Sequence, residues 1–207
     1  IGSIYNNKGN YDTALEYYNR SIRIAEELGD KKGIGYCLIK IGIVYWRKDD
    51  YNKSLDYYNY GYKIFEELDN KRGMGACISN IGIIYSFKRD YDKVLDYYNR
   101  GLTVDKELDN KRGEANAYNN IGVLYSDIGD NKKALDYYGR SLNIRKALGD
   151  KQGIETSLYN IGVVYFNKVN YKKAEDYFEK SLDILNEIGR VDNLIWSKTY
   201  LSLTCKF

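Results

Sequence analysis

The string Ile-Gly-x-x-Tyr occurs with its isoleucine at positions 1, 41, 81, 121 and 161, so the interval is the same every time. The same register returns Tyr5, Tyr45, Tyr85, Tyr125 and Tyr165, then Tyr17, Tyr57, Tyr97, Tyr137 and Tyr177, then Tyr18, Tyr58, Tyr98, Tyr138 and Phe178. No insertion breaks the count across the 207 residues. An unbroken period of this length means one supersecondary unit per repeat, each burying its apolar face against the next. The sequence therefore predicts a single array over residues 1–207. The initial Ile1 and the incomplete repeats at both ends predict a piece of a longer protein.

Within one period the apolar spacing is helical twice. Leu38, Ile41, Gly42 and Tyr45 lie at i, i+3, i+4 and i+7, and after a break Tyr51, Ser54, Leu55, Tyr58 and Tyr62 continue the pattern. The breaks carry capping residues. Asn10, Asp50, Asp90, Asp130 and Asn170 precede the second helix of each pair, and Asp30, Asn70, Asn110 and Asp150 precede the first. Gly29, Gly149 and Gly189 suit the left-handed residue that follows a helix end. The expected elements are antiparallel helices of roughly 17 to 18 residues, about 26 Å long. Gly42, Gly82, Gly122 and Gly162 fall mid-helix, where glycine costs about 1 kcal/mol relative to alanine. A partner helix too close for a Cβ explains them. The tyrosines recur in this core register and read as packing residues with hydroxyls at the rim.

Composition removes most chemistry. The chain has no histidine, which excludes Ser-His-Asp and Cys-His catalysis, His-ligated zinc and imidazole switching. It has no proline, so nothing stops a helix from inside. A net charge of +3 from 32 basic and 29 acidic residues predicts neither a nucleic-acid nor a membrane partner. No apolar run is long enough to span a bilayer, and no basic-then-apolar leader is present. There is no phosphate-binding loop, no C-x-x-C and no H-E-x-x-H, so no enzyme, cofactor or metal is expected. Three cysteines, an odd number, argue against a disulfide scaffold and favour a cytoplasmic setting. Cys37 and Cys77 occupy equivalent places one repeat apart, roughly 10 Å or more if helices pack at ordinary distances, beyond disulfide reach. They read as small buried residues.

Leu38-x-x-Ile41-Gly42-x-x-Tyr45 followed by Ser54-x-x-x-Tyr58, and Leu158-x-x-Ile161-Gly162-x-x-Tyr165 followed by Ala174-x-x-x-Phe178, resemble the tetratricopeptide repeat pattern W-x2-L-G-x2-Y, A-x3-F. The match runs the length of the chain. It departs in the missing terminal proline and in a period longer than the usual ~34 residues. Both departures resemble the long-helix subclass of kinesin light chain, the Pins-type adaptors and bacterial sensor segments. The resemblance implies an all-α, α-α superhelix of about eleven helices, right-handed, truncated within a first-type helix at Ile1 and ending on one near Phe207. The bacterial sensor relatives also keep an extracytoplasmic location open.

By the same resemblance, the stripe of each first helix left over by the core lines a concave groove that holds peptides. In the second repeat this stripe is Tyr36, Lys40, Ile43 and Arg47, flanked by Trp46; in the third it is Ala76, Asn80, Ile83 and Phe87. In the fourth it is Asn116, Asn120, Val123 and Asp127, flanked by Asn119. The fifth contributes Thr156, Asn160, Val163 and Asn167, flanked by Tyr159 and Phe166. The Asn80, Asn120 and Asn160 series offers a donor and an acceptor at one register position, which suits a peptide backbone. The same amides could instead bond within the array. Trp46, Phe87 and Phe166 would make anchoring pockets, and Lys40 and Arg47 a basic end. The expected partner is a protein or peptide segment. The alternative is a structural solenoid that self-associates through open ends carrying Ile1, Ile4, Trp196, Leu201, Leu203 and Phe207.

Overall fold

A computed structural model describes residues 1–189; the stretch where an eleventh helix is expected, with Cys205 and the apolar residues Trp196, Leu201, Leu203 and Phe207, lies outside the described residues. Ten helices occupy the described residues, without a strand. The chain divides into two compact units, Ile1–Asp109 and Asn110 onward. The first contains α1 (Gly2–Asn7), α2 (Tyr11–Glu27), α3 (Lys31–Arg47), α4 (Tyr51–Glu67), α5 (Lys71–Phe87) and α6 (Tyr91–Glu107). The second contains α7 (Lys111–Asp127), α8 (Asn131–Ala147), α9 (Lys151–Asn167) and α10 (Tyr171–Glu187). Among the described residues no helix is long and apolar enough to cross a membrane.

Every helix from α2 to α10 has the same length, and each from α2 to α9 is followed by a short turn of the same size, so one helix with its turn makes half of the repeat. The turn after α2 shows how it is built. After α2, Gly29 N–H donates to the Glu26 carbonyl at 3.1 Å and Asp30 N–H to the Ala25 carbonyl at 2.8 Å, the paired bonds of a Schellman motif. Asp30 then opens α3, its Oδ1 accepting from Gly33 N–H at 2.8 Å. One residue thus closes one helix and caps the next. The capping bond forms at every predicted cap except Asn10.

The middle turn residue needs positive φ. Gly9, Gly29, Gly129, Gly149 and Gly189 supply it, but Asp49, Asp69, Arg89, Asp109 and Val169 adopt it too. Asp tolerates this region; a β-branched Val169 at φ 59° is strained.

Pairing is antiparallel, with Tyr45 of α3 stacked on Tyr57 of α4 at 5.3 Å and Tyr125 of α7 on Tyr137 of α8 at 5.5 Å. The mid-helix glycines mark where a buried ring of the paired helix lies. A Cβ on Gly42 would stand 2.5 Å from Tyr58 Cε1, and one on Gly162 2.6 Å from Phe178 Cε1. The core of the first unit gathers Ile39, Tyr58, Phe65, Cys77, Ile81 and Ile84, with Ala14, Tyr18, Ile41 and Val44 in a second cluster. That of the second unit gathers Ala134, Tyr138, Leu142, Leu158, Ile161 and Val164. One expectation about the core needs correction: Leu38 and Tyr45 are only half-buried, whereas Val44 is fully enclosed. Ser54, a polar residue on the core stripe, is satisfied where it sits, because its hydroxyl donates to the Gly42 carbonyl at 2.9 Å.

Candidate functional site

In the first unit α3 and α5 lie side by side and carry the predicted stripe. Tyr36 is half-buried, its ring 4.9 Å from that of Phe65. Lys40 is exposed with no ion-pair partner among the described residues, and Ile43 and Ile83 are half-buried. Trp46 packs at 5.9 Å on Phe87, which in turn stacks at 5.8 Å on Tyr51, forming an aromatic cluster from α3, α4 and α5. Phe87 stays 54% exposed, so this cluster presents apolar surface to solvent. Arg47 is not the free cation that its sequence position suggests. Its Nη1 donates to the Asn6 carbonyl at 2.9 Å, bracing the end of α1.

In the second unit α7 and α9 carry the equivalent stripe. Tyr159 packs on Phe178 at 5.8 Å and Phe166 on Tyr171 at 5.4 Å. Asp127 and Asn167 are exposed at the helix ends, and the Thr156 hydroxyl donates to the Gln152 carbonyl at 3.1 Å.

The three asparagines of one register position do three different things. Asn80 Nδ2 donates to the Ala76 carbonyl of its own helix at 2.7 Å. Asn160 Nδ2 donates to Asn119 Oδ1 at 3.1 Å. Asn120 is half-buried and makes no side-chain hydrogen bond among the described residues. The uniform ladder expected from sequence is thus partly used up inside the array, and Asn120 alone of the three keeps its amide uncommitted.

A buried polar network lies behind the stripe of the second unit. Arg145, 8% exposed, donates from Nε to Ser141 Oγ at 3.0 Å, from Nη1 to Asp150 Oδ2 at 3.2 Å and from Nη2 to Asn116 Oδ1 at 2.9 Å. Burial pulls the guanidinium pKa below its ordinary value, opposed by the Asp150 carboxylate. Glu155 is enclosed beside Ser181, whose hydroxyl donates to Oε1 at 3.1 Å. Sequence reasoning missed this network. Its signal was a position that reads Ala25, Phe65, Asp105, Arg145 and Leu185 through the repeats, apolar in some repeats and charged in others.

Two concavities open on the first unit. One, of about 550 Å³, is lined by Lys32, Tyr36, the 68–72 turn and Leu108. The other, of about 380 Å³, is lined in part by Tyr17, Tyr18, Tyr36, Cys37 and Lys40. Cys37 is therefore only half-buried, against expectation, while burial pushes the Cys77 thiol up to about 12. Among the described residues no cluster of acidic or sulfur side chains could hold a metal ion.

Comparison with known proteins agrees with this architecture. No curated protein sequence matches the chain. Among solved structures, BtubC (BKLC) from P. vanneervenii superposes with a TM-score of 0.80 at 23% identity, over 92% of this chain and 79% of that one. A Rap protein complexed with Competence and Sporulation Factor gives 0.79 at 18% identity, over 98% and 60%. The STAND signal-transduction ATPase with a tetratricopeptide repeat sensor from Pyrococcus horikoshii gives 0.80 at 19% identity, over 98% and 32%. The chain thus spans less than two thirds of the last two. Tetratricopeptide repeat models match residues 1–67, 76–147 and 155–184. With helix pairs, glycine columns and models in agreement over most of its length, the chain belongs to the tetratricopeptide repeat family.

Proposed function

We propose that this chain is a non-catalytic protein–protein interaction module that holds a peptide segment against first-of-pair helices, those of the first unit being α3 and α5 and those of the second, taken by itself, α7 and α9. The observation that carries the reading is Phe87, a ring 54% exposed on a helix face whose core residues are already enclosed. Trp46 and Tyr51 support it from two neighbouring helices, which makes a rigid apolar anchor site. Asn120 adds an uncommitted amide suited to a peptide backbone. The Rap protein that superposes on this chain is one in complex with Competence and Sporulation Factor, which supports a binding role for the shared fold.

The test is selection from a random peptide library followed by calorimetric titration. A neutral hydrogen bond contributes about 0.5–1.5 kcal/mol, so Asn120→Ala weakens a backbone-bound ligand roughly three- to tenfold. Phe87→Ala removes the anchor and costs more, and circular dichroism of the variant checks that the helices survive the loss of its ring contacts with Trp46 and Tyr51. Ligands that bind both variants as tightly as the wild type overturn the reading.

A further inference from the structure

The concavity of about 550 Å³ on the first unit is a shallow, open depression at the starting ends of α3 and α5. Each of these helices begins with two adjacent cations, and the structure treats the two differently. Lys31 pairs with Glu67 at 3.3 Å and Lys71 with Glu107 at 2.6 Å, so the first cation of each start is committed to a neighbouring helix. Lys32 and Arg72, the second of each, make no ion pair or side-chain hydrogen bond among the described residues, yet both line the concavity. The Tyr36 hydroxyl, on the same wall, also lacks a hydrogen-bond partner among the described residues. Leu68 and Leu108 flank these groups with exposed aliphatic surface.

The occupant has to satisfy cations and aliphatic surface together. Lys32 and Arg72 stand one full repeat apart, as do Leu68 and Leu108. A repeat offset of roughly 10 Å corresponds to about three residues of extended chain at ~3.3 Å each. A nucleic acid fits poorly, because a phosphate backbone has no use for the aliphatic surface of Leu68 and Leu108. The same register position is held in the second unit by Arg112, whose charge is felt by the buried Arg145.

We infer that the concavity at the starts of α3 and α5 binds an acidic peptide segment of a partner protein. The segment is extended, with carboxylates about three residues apart on Lys32 and Arg72 and aliphatic side chains between Leu68 and Leu108. The inference rests on the peptide-binding reading above and specifies the partner's chemistry.

The probes are a short peptide alternating glutamate and leucine, its glutamine counterpart and its lysine counterpart, titrated by fluorescence anisotropy against the full chain. Exposed ion pairs are individually weak, so Lys32→Ala and Arg72→Ala are each expected to weaken the glutamate peptide about threefold, and the double variant about tenfold. Raised salt should weaken it further. Lys31→Ala removes the same charge from a cation that is already paired and does not line the concavity, and should change affinity less than about twofold. Equal binding of the glutamate and glutamine peptides, equal losses from Lys31→Ala and Lys32→Ala, or displacement by single-stranded DNA as readily as by the acidic peptide each overturns the inference. If library-selected peptides respond to Asn120→Ala or Phe87→Ala but show no acidic preference, this inference falls and the groove reading stands. If no peptide binds at all, both fall.

Discussion

Replacing Gly122 tests whether the glycine column exists because a buried ring of the paired helix occupies the space. A Cβ on Gly122 would stand 2.7 Å from both Cδ1 and Cε1 of Tyr138. An unstrained pair of carbons sits at ~3.5–4.0 Å, so α7 and α8 would have to part by about 1 Å. The ring cannot swing aside into solvent, since Tyr138 is only 3% exposed. Overpacking of this kind costs ~1–3 kcal/mol, and alanine returns ~1 kcal/mol of helix propensity. Gly122→Ala should therefore destabilise by up to about 2 kcal/mol, and Gly122→Leu, which adds bulk without further propensity gain, by about 3 kcal/mol or more. Gly139 is the control. It lies inside α8, where an added Cβ meets nothing within 4 Å, so Gly139→Ala should stabilise by about 1 kcal/mol. In a Tyr138→Ala background the sign at Gly122 should invert, with a coupling of ~1–3 kcal/mol between the two sites. Urea unfolding followed by circular dichroism reads all of these variants. Equal upward shifts of the midpoint for Gly122→Ala and Gly139→Ala would refute the steric account.

Val169→Gly should raise stability by about 1 kcal/mol in the same assay, because it relieves a β-branched residue at φ 59°; no gain would mean the turn is unstrained. Asp30→Ala should cost about 1 kcal/mol as a lost cap, whereas Asp150→Ala also strands the buried Arg145 and should cost roughly 3–5 kcal/mol; similar losses would show that Ser141 and Asn116 satisfy the guanidinium alone. Burial pushes Tyr58 from 10.0 and Cys77 from 9.0 up to about 12 each, so the folded chain keeps both protons where the unfolded chain releases them. Stability should hold below about pH 9 and fall from there towards about pH 12, and a Tyr58→Phe, Cys77→Ala variant should lose less over that window.

The helix pairs were legible because period, caps and glycines all point the same way. Asp30, Asn70 and Asp150 each read as caps and each accept from the residue three places on. The turns were half legible. Gly29 and Gly149 announce positive φ, but Arg89 and Val169 adopt it through the geometry of the shared turn, against their own preference. The stripe was legible as positions and not as states. Equivalent residues such as Asn80 and Asn160 face different neighbours, and the bond from Asn160 to Asn119 depends on what the adjacent repeat happens to place opposite it. The free cations were hidden for the same reason, since Lys31-Lys32 reads as one basic pair until Glu67 takes the first.

The bonds that cross repeats share a short reach along the chain. Lys31 to Glu67, Lys151 to Glu187 and Arg47 to Asn6 each join residues about one repeat apart. A chain whose partners are always this close in sequence has little loop entropy to overcome, so each helix pair can settle while the chain is still being synthesised, as soon as the following repeat emerges. The drawback of such self-similarity is mistaken pairing, because every helix resembles its counterpart in the next repeat. Arg145 works against that error: placing α4 where α8 belongs would set Phe65 against Asp150, whose largely enclosed carboxylate then loses its cation. A buried cation at a position that is apolar in other repeats thereby acts as an address, telling repeats apart where the rest of the pattern does not.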